Sequence, residues 1–305
     1  MSIGPSPKYL KTLCEYLCNT KIEDLPPEII YRGRWIIADS VAVIAAGMQV
    51  DEMKSLAKHQ LTSGMQGEAS IIGANVHTDP MNAALLNGTA GTWLELDEGN
   101  IYAKGHPGIQ VVPAAFAMAE QQRSTGRDLL LSVILGYEAS ARISRASKMR
   151  LAIHPHGTYG TIGAAIALAK LKGYGLKEMQ NIINISSTIG MATSRRTLIE
   201  GATVRNIYAG MSGYMGILAH QLMQAGFTGE VDGVRSVYGA VYADEFDPEL
   251  VTKDLGKQFI VGKNYFKLHS CGRYIHSALD LVELIAAQRP KRRIDPEEVE
   301  KIDIE

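Results

Sequence analysis

Apolar residues recur at intervals of three and four along most of this chain, the spacing of a helix face turned toward a core. "PPEIIYRGRWIIADSVAVIAAGM" (26–48) carries that pattern behind two prolines suited to a first helical turn. "GRDLLLSVILGYEASARISRA" (126–146) and "GLKEMQNIINISSTIGMA" (175–192) read the same way. In "ATVRNIYAGMSGYMGILAHQLMQAG" (202–226), Val204, Ile207, Tyr208, Met211, Met215, Leu218 and Leu222 form one stripe, read as the buried face of a helix. Gly and Ala are frequent inside helical stretches such as "GTIGAAIALAK" (160–170), which suits close backbone packing. The fold class expected is mainly α, with at most short strands at "ASIIG" (69–73) and "KQFIVG" (257–262).

The pattern changes near the end. After the helical "IHSALDLVELIAAQ" (275–288) comes "RPKRR", a polar linker with a helix-breaking proline. "IDPEEVEKIDIE" then offers Asp295 as N-cap, Pro296 at the first helical position, and an alternating Ile302, Ile304 pair that reads as the start of a strand. A strand needs a partner. The expected organisation is a helical main domain over 1–289, then a linker and the beginning of a second unit over 290–305.

Composition narrows the function classes. The 31 Lys and Arg almost balance the 32 Asp and Glu, so nothing in the net charge favours nucleic acid or an anionic membrane as partner. The N-terminal "MSIGPSPKYLKTLCEYL" lacks the apolar run of a signal peptide, and no apolar run is long enough to span a bilayer. The three cysteines, Cys14, Cys18 and Cys271, show no metal-ligand spacing and read as packed thiols of a reducing cytoplasm.

Four polar patches interrupt the helical background. "ELDEGNIYAKGHPG" (95–108) holds Glu95, Asp97, Glu98, Lys104 and His106 between two apolar helical stretches. "IHPHGTYG" (153–160) carries His154 and His156 ahead of a helix start. "SRRTLIEGATVRN" (194–206) places Arg195, Arg196 and Arg205 around a helix N-terminus, and "NYFKLHSCGRYIH" (264–276) holds Lys267, His269, Arg273 and His276. Histidine exchanges protons near neutral pH, and fixed cations hold carboxylates. Together they suit proton abstraction next to a carboxylate, which needs a base at the carbon and positive charge for the developing anion. Taken singly, each has a plainer reading: a capping histidine, solvated acids at a helix end, a surface pair at Arg195 and Arg196, a packed thiol at Cys271. A P-loop, a dinucleotide fingerprint and a serine-nucleophile elbow are all missing from the sequence.

At these patches the chain resembles the MmgE/PrpD family of dehydratases, decarboxylases and epimerases of small carboxylic acids. "NGTAGTWLELDEGN…GHPG", "HPHGTYGTIGAAIALAKLKG", "EGATVRNIYAGMSGYMGILAHQLMQAGFTGE" and "YFKLHSCGRYIH" follow the family's motifs in order. The resemblance implies an all-helical domain with an α/β lid, no metal or organic cofactor, and a homodimer. Carried over by position, His106 and His154 are the acid–base candidates, with Glu95 and Lys267 as further catalytic positions; Asp97, with Glu95, is read as orienting His106 or a substrate hydroxyl. Arg205, Arg273, His276 and Lys104 are assigned to the substrate carboxylates. Arg205 stands where members often carry Lys, Gly99 where decarboxylase-type members carry Thr, and Thr92 in a place often held by His. Arg205 keeps the charge but not the easy deprotonation of a lysine, so no single member's substrate can be copied over.

Members of the family run well beyond this length, so the chain is expected to contain only the start of the lid. The leading expectation is a cofactor-independent lyase of dehydratase type on a di- or tricarboxylic acid such as 2-methylcitrate. An epimerase or decarboxylase of a similar acid is the alternative. So is a non-catalytic remnant, or one half of an enzyme completed by a separate lid-bearing chain.

Overall fold

The computed structural model describes residues 6–62, 66–289, 291 and 293–303. The chain folds as helices α1 (Lys8–Asn19), α2 (Pro27–Gly47), α3 (Asp51–Leu61), α4 (Pro80–Trp93), α5 (Pro107–Gln122), α6 (Gly126–Ala146) and α7 (Tyr159–Leu171). It continues through α8 (Leu176–Thr188), α9 (Arg196–Ile199), α10 (Ile207–Gln224), α11 (Gly233–Arg235), α12 (Pro248–Thr252) and α13 (His276–Ala287). Two small antiparallel ladders complete it, β1 (Ala69–Ile71) with β2 (Val76–Thr78) and β3 (Ser147–Met149) with β4 (Ala243–Phe246). The fold is mainly α, as the periodicity predicts. None of its described helices is long and apolar enough to cross a membrane.

Local chemistry sets the helix ends. Asp79 caps α4 by accepting from the backbone N–H groups of Met81 and Asn82, with Pro80 in the first turn. Thr125 and Asp128 form a reciprocal capping box on α6. The middle of the molecule is α7, buried on every side from Tyr159 to Ala169 and enclosed by α5, α6, α8 and α10. A helix without a polar face belongs inside.

The small residues serve close helix crossings. A Cβ on Gly88 of α4 would stand 2.6 Å from the Cα of Gly210, and one on Gly210 would stand 2.2 Å from the carbonyl of Leu85. Only hydrogen fits at either position. This contact overturns the stripe expected on α10. The face turned inward is Gly210, Gly213, Gly216 and Ile217, while Val204 precedes the helix and is exposed. Ile207, Met211, Met215, Leu218 and Leu222 are half-buried; of the stripe only Tyr208 is buried. Backbone proximity, not side-chain bulk, decided which face went in.

The strand expected at 257–262 is likewise absent; that stretch is turn and 3-10 helix, although Ile260 and Val261 are buried. Side chains take the hydrogen bonds a neighbouring strand would have made. The N–H of Val261 donates to the Glu138 carboxylate, the Asn100 amide donates to the carbonyl of Ile260, and Arg142 donates to that of Gln258. Arg142 also reaches the carbonyls of Val251 and Lys253 and pairs with Glu138 at 2.6 Å, with both side chains fully buried. This pair fastens the 248–263 segment onto α6.

At the C-terminal end Asp295 caps a short 3-10 helix (Pro296–Glu298), as expected. Ile302 is exposed and outside any strand, and Ile304 lies outside the described residues, as do Pro290 and Arg292 of the linker. Helix α13 has no buried residue and exposes Leu281, Val282, Leu284 and Ile285.

Candidate active site

The segment between α4 and α5 is built as a rigid loop. Asn100 is its pivot: its side-chain oxygen accepts from the N–H groups of Tyr102 and Ala103, and its backbone pairs with Gly105. Glu95 and Lys104 both adopt left-handed backbone, which bends the chain sharply at each end of the loop. Gly99 exchanges two backbone hydrogen bonds with Tyr265, which brings the 264–267 segment alongside and delivers Lys267. A Cβ on Gly99 would strike the Tyr265 ring at 2.5 Å. Glycine at this position, where a threonine is expected of decarboxylase-type members, goes with an aromatic ring lying against that spot.

Beneath the loop lies Glu98, fully buried. One carboxylate oxygen accepts from the N–H of Gly108 in the first turn of α5; the other accepts from the Tyr137 hydroxyl and the Asn264 amide. It thus ties α5, α6 and the Lys267 segment to one point. Burial pushes Glu98 up to about 7, against the pull of those hydrogen bonds and the nearby His106 charge. The folded pKa is above the unfolded one, so the native state holds the extra proton. Stability from this group is full below about 4.5 and is lost as pH rises through about 7. Glu98→Gln removes that component. Urea midpoints measured at about pH 5 and about pH 8 should lie closer together in the variant than in the wild type.

His106 is the N-cap residue of α5. Its Nδ1 lies 3.0 Å from Oδ2 of Asp97 as an ion pair and 3.2 Å from the Asp97 backbone carbonyl as a hydrogen-bond partner, leaving Nε2 as the free ring nitrogen. Burial alone would lower the His106 pKa, but the charge and hydrogen bond of Asp97 outweigh it and the net shift is upward. Burial alone would raise Asp97, yet His106, Lys267 and Arg205 bring it down to about 2.

His154 and His156 come from the loop before α7, pinned by Thr193, whose hydroxyl reaches the carbonyls of both. The backbone N–H of His156 donates to Nδ1 of His154 at 3.1 Å, so His154 carries its hydrogen on Nε2. Burial, then the charges of Arg205, His106 and Arg195, push His154 down to about 3. It is a neutral donor at physiological pH. His156 stands edge-on to both other rings, buried, with neither ring nitrogen partnered among the described residues. Burial, then His154 and His106, hold it well below the ordinary histidine range.

The cations gather around Glu95. Arg205 pairs with its Oε1; Lys267 donates to its backbone carbonyl at 2.9 Å and stands 3.5 Å from Oε2 and 3.6 Å from Oδ1 of Asp97. Thr92, in the position often held by histidine, is fully buried and donates to the carbonyl of Asn206, bracing Arg205 from below. These groups open on a cleft of about 750 Å³ whose walls include Arg195, Tyr265 and Arg273. Apolar residues stand at its rim, among them Ile101, Leu151, Leu198 and Tyr274, all exposed.

Six of the residues singled out in the sequence converge here: Glu95, Asp97, His106, His154, Arg205 and Lys267. Arg273 joins the wall, stacked over the Tyr265 ring at 4.7 Å. Lys104 borders the cleft, but its ammonium is directed at the carbonyls of Ser144 and Ser147 where α6 ends. That is a helix-terminus contact, not a free substrate cation. His276 is not brought in; it sits at the start of α13, edge-on to His269, which pairs with Asp280 and Glu283 of that helix. Sequence reasoning set His156 aside in favour of His154, weighed Arg195 only as half of a surface pair, and did not single out Tyr265 or the bracing role of Glu98. The acidic cluster that holds Glu98 was the one usable signal. Partners contributed by α6 and by residue 264 could not be read from it.

Asp97, His106 and His156 each offer one ligand atom, mutually within 4.8 Å. A metal ion bound there would displace the proton held between His106 and Asp97 and stand next to Lys267. The set fits an acid–base dyad backed by cations better than it fits a metal ion.

The family profile of the MmgE/PrpD N-terminal domain matches residues 11–248. A cis-aconitate decarboxylase-like protein of Aspergillus oryzae is 26% identical over 92% of this chain and 62% of its own length. A cis-aconitate decarboxylase of Aspergillus terreus is 24% identical over 92% of this chain and 60% of its own. The chain thus spans about 60% of the length of these curated relatives.

Proposed function

The chain belongs to the MmgE/PrpD family, and from that footing we propose that its site performs lyase chemistry on a small polycarboxylic acid. The observation that carries this reading is the His106–Asp97 pair facing a cleft with Lys267 and Arg205 at its floor. Neutral His106 takes the proton α to a substrate carboxylate on Nε2, and Asp97 stabilises the imidazolium that forms. The electron pair moves onto that carboxylate, where Lys267 balances the developing charge. Collapse of this anion expels a β-hydroxide, which takes the proton back from His106 and leaves as water. His154 donates a hydrogen bond from Nε2 to the substrate; as a neutral imidazole with a pKa near 3 it orients rather than protonates. No step asks for a metal or organic cofactor.

A second reading shares the same residues. The names of the relatives favour carbon dioxide as leaving group, with the resulting carbanion protonated by His106. Proton NMR in heavy water with 2-methylcitrate, citrate and cis-aconitate tests both. Formation of an unsaturated acid, with deuterium at the α carbon of recovered hydroxy acid, supports the dehydratase. Loss of a carbon supports the decarboxylase. A folded chain that neither exchanges a proton with nor converts any of the three overturns the lyase reading.

A further inference from the structure

The cations lining the cleft are not equally engaged. Arg150 is taken by Asp244 and by the carbonyls of Ala240 and Val241. Lys104 holds the end of α6, Lys267 is balanced by Glu95 and Asp97, and Arg273 lies exposed over the Tyr265 ring. Arg195 differs. Ser194 forms an antiparallel bridge with Ile153, and the N–H of Arg195 donates to the carbonyl of Ala152 at 2.9 Å, which seats Arg195 beside His154 on the cleft wall. Its neighbour Arg196 points outward and pairs with Glu200. Among the described residues no carboxylate pairs with Arg195, although it is half-buried.

A second unmet donor belongs to a residue of the same cleft wall, Arg205. Arg205 is 7% exposed; its Nη1 serves Glu95 and the Asn206 side chain, but its Nε–H is buried without a partner. A buried guanidinium N–H left unsatisfied is costly unless a ligand supplies the acceptor. The hydroxyl-bearing Thr197 and Thr203 border the cleft as well.

We propose that Arg195 and the Nε–H of Arg205 form a second carboxylate subsite, which selects acids carrying a carboxylate remote from the reacting carbon. The inference rests on the carbon-acid reading in one respect: Lys267 and the His106–Asp97 pair attend the reacting end. The wall where Arg195 stands then receives the far end. A guanidinium offers a carboxylate two parallel donors, so the contact discriminates by geometry as well as charge. A monocarboxylic acid would leave both donors unmet. The charge of Arg195 also helps keep His154 neutral, which fits its place next to that ring.

Calorimetric titration of the full chain with cis-aconitate (three carboxylates) and crotonate (one) tests this. The wild type should bind cis-aconitate at least about tenfold more tightly, the worth of one charge-assisted contact. Arg195→Met should weaken cis-aconitate by about tenfold and leave crotonate within about twofold, with Arg195→Lys intermediate. Circular dichroism checks that both variants fold. Wild type that shows no preference, or a folded Arg195→Met that keeps its affinity for cis-aconitate, overturns the subsite. Deuterium exchange on the same samples separates this from the lyase reading. Exchange with affinity unchanged in Arg195→Met sinks the subsite alone, whereas affinity that depends on Arg195 without exchange sinks the lyase reading alone. Binding of neither acid by the wild type sinks the subsite.

Discussion

His106→Gln should lower kcat by roughly a thousandfold, in the range expected for loss of a positioned general base. Nδ1 of the imidazole is held by Asp97 at 3.0 Å, and Nε2 is the atom assigned to the substrate proton. Gln retains an amide donor for Asp97 but offers no basic nitrogen, so the loss should fall on kcat and not on KM. The buried Asp97 keeps Lys267 beside it, so the thermal midpoint should move by only a few degrees. The wild-type pH profile carries the same signature. Asp97 raises the His106 pKa above the ordinary histidine value of 6.5, so the neutral base accumulates only above that pH. Activity should therefore climb with pH through the raised value, and Asp97→Asn should shift that limb toward acid while slowing the reaction. Steady-state rates with the substrate identified by NMR, measured from about pH 5.5 to 9, check all three statements. Wild-type turnover in the His106→Gln variant would remove His106 from the chemistry.

The largest stability effect is expected at Arg142→Met, about 3–5 kcal/mol by urea unfolding. The substitution leaves Glu138 charged in the core and removes donors from the carbonyls of Val251, Lys253 and Gln258 together. The paired variant Glu138→Gln with Arg142→Met should lose less than the sum of the single changes, because it leaves no uncompensated charge. Additive losses would show that the two side chains act independently. The segment released by Arg142 leads directly to Asn264, Tyr265 and Lys267, so partial unfolding should reach the site before the core. Hydrogen exchange in Arg142→Met should accelerate first over 248–267. Uniform acceleration across α6 and α7 would argue against that order.

Helix positions were legible because amphipathic spacing, proline at first turns and side-chain caps are all local, as at Pro27 and Asp295. The mistakes share a cause. On α10 the bulky residues outlined a stripe, but the inward face was set by how closely Gly88 and Gly210 bring two backbones together. At 257–262 the residues have strand-like character, yet Glu138, Arg142 and Asn100 supply the hydrogen bonds from elsewhere. The strands β2, β3 and β4, each of three or four residues, carry too little pattern to be seen alone.

The candidate site divides along the same line. Residue type and order pointed to Glu95, Asp97, His106, His154, Arg205 and Lys267, because each stands in a polar interruption of an apolar helical background. By itself the sequence determined the helical fold class and, through the family resemblance, this set of candidate groups. Only the tertiary structure decided their states and partners. It put Asp97 on one nitrogen of His106, left His154 neutral with its hydrogen on Nε2, turned Lys104 onto a helix end and kept His276 out. It also left Arg195 facing the cleft with no carboxylate of its own. Protonation and orientation depend on burial and on charges that lie far apart along the chain, and those distances exist only once the helices are packed.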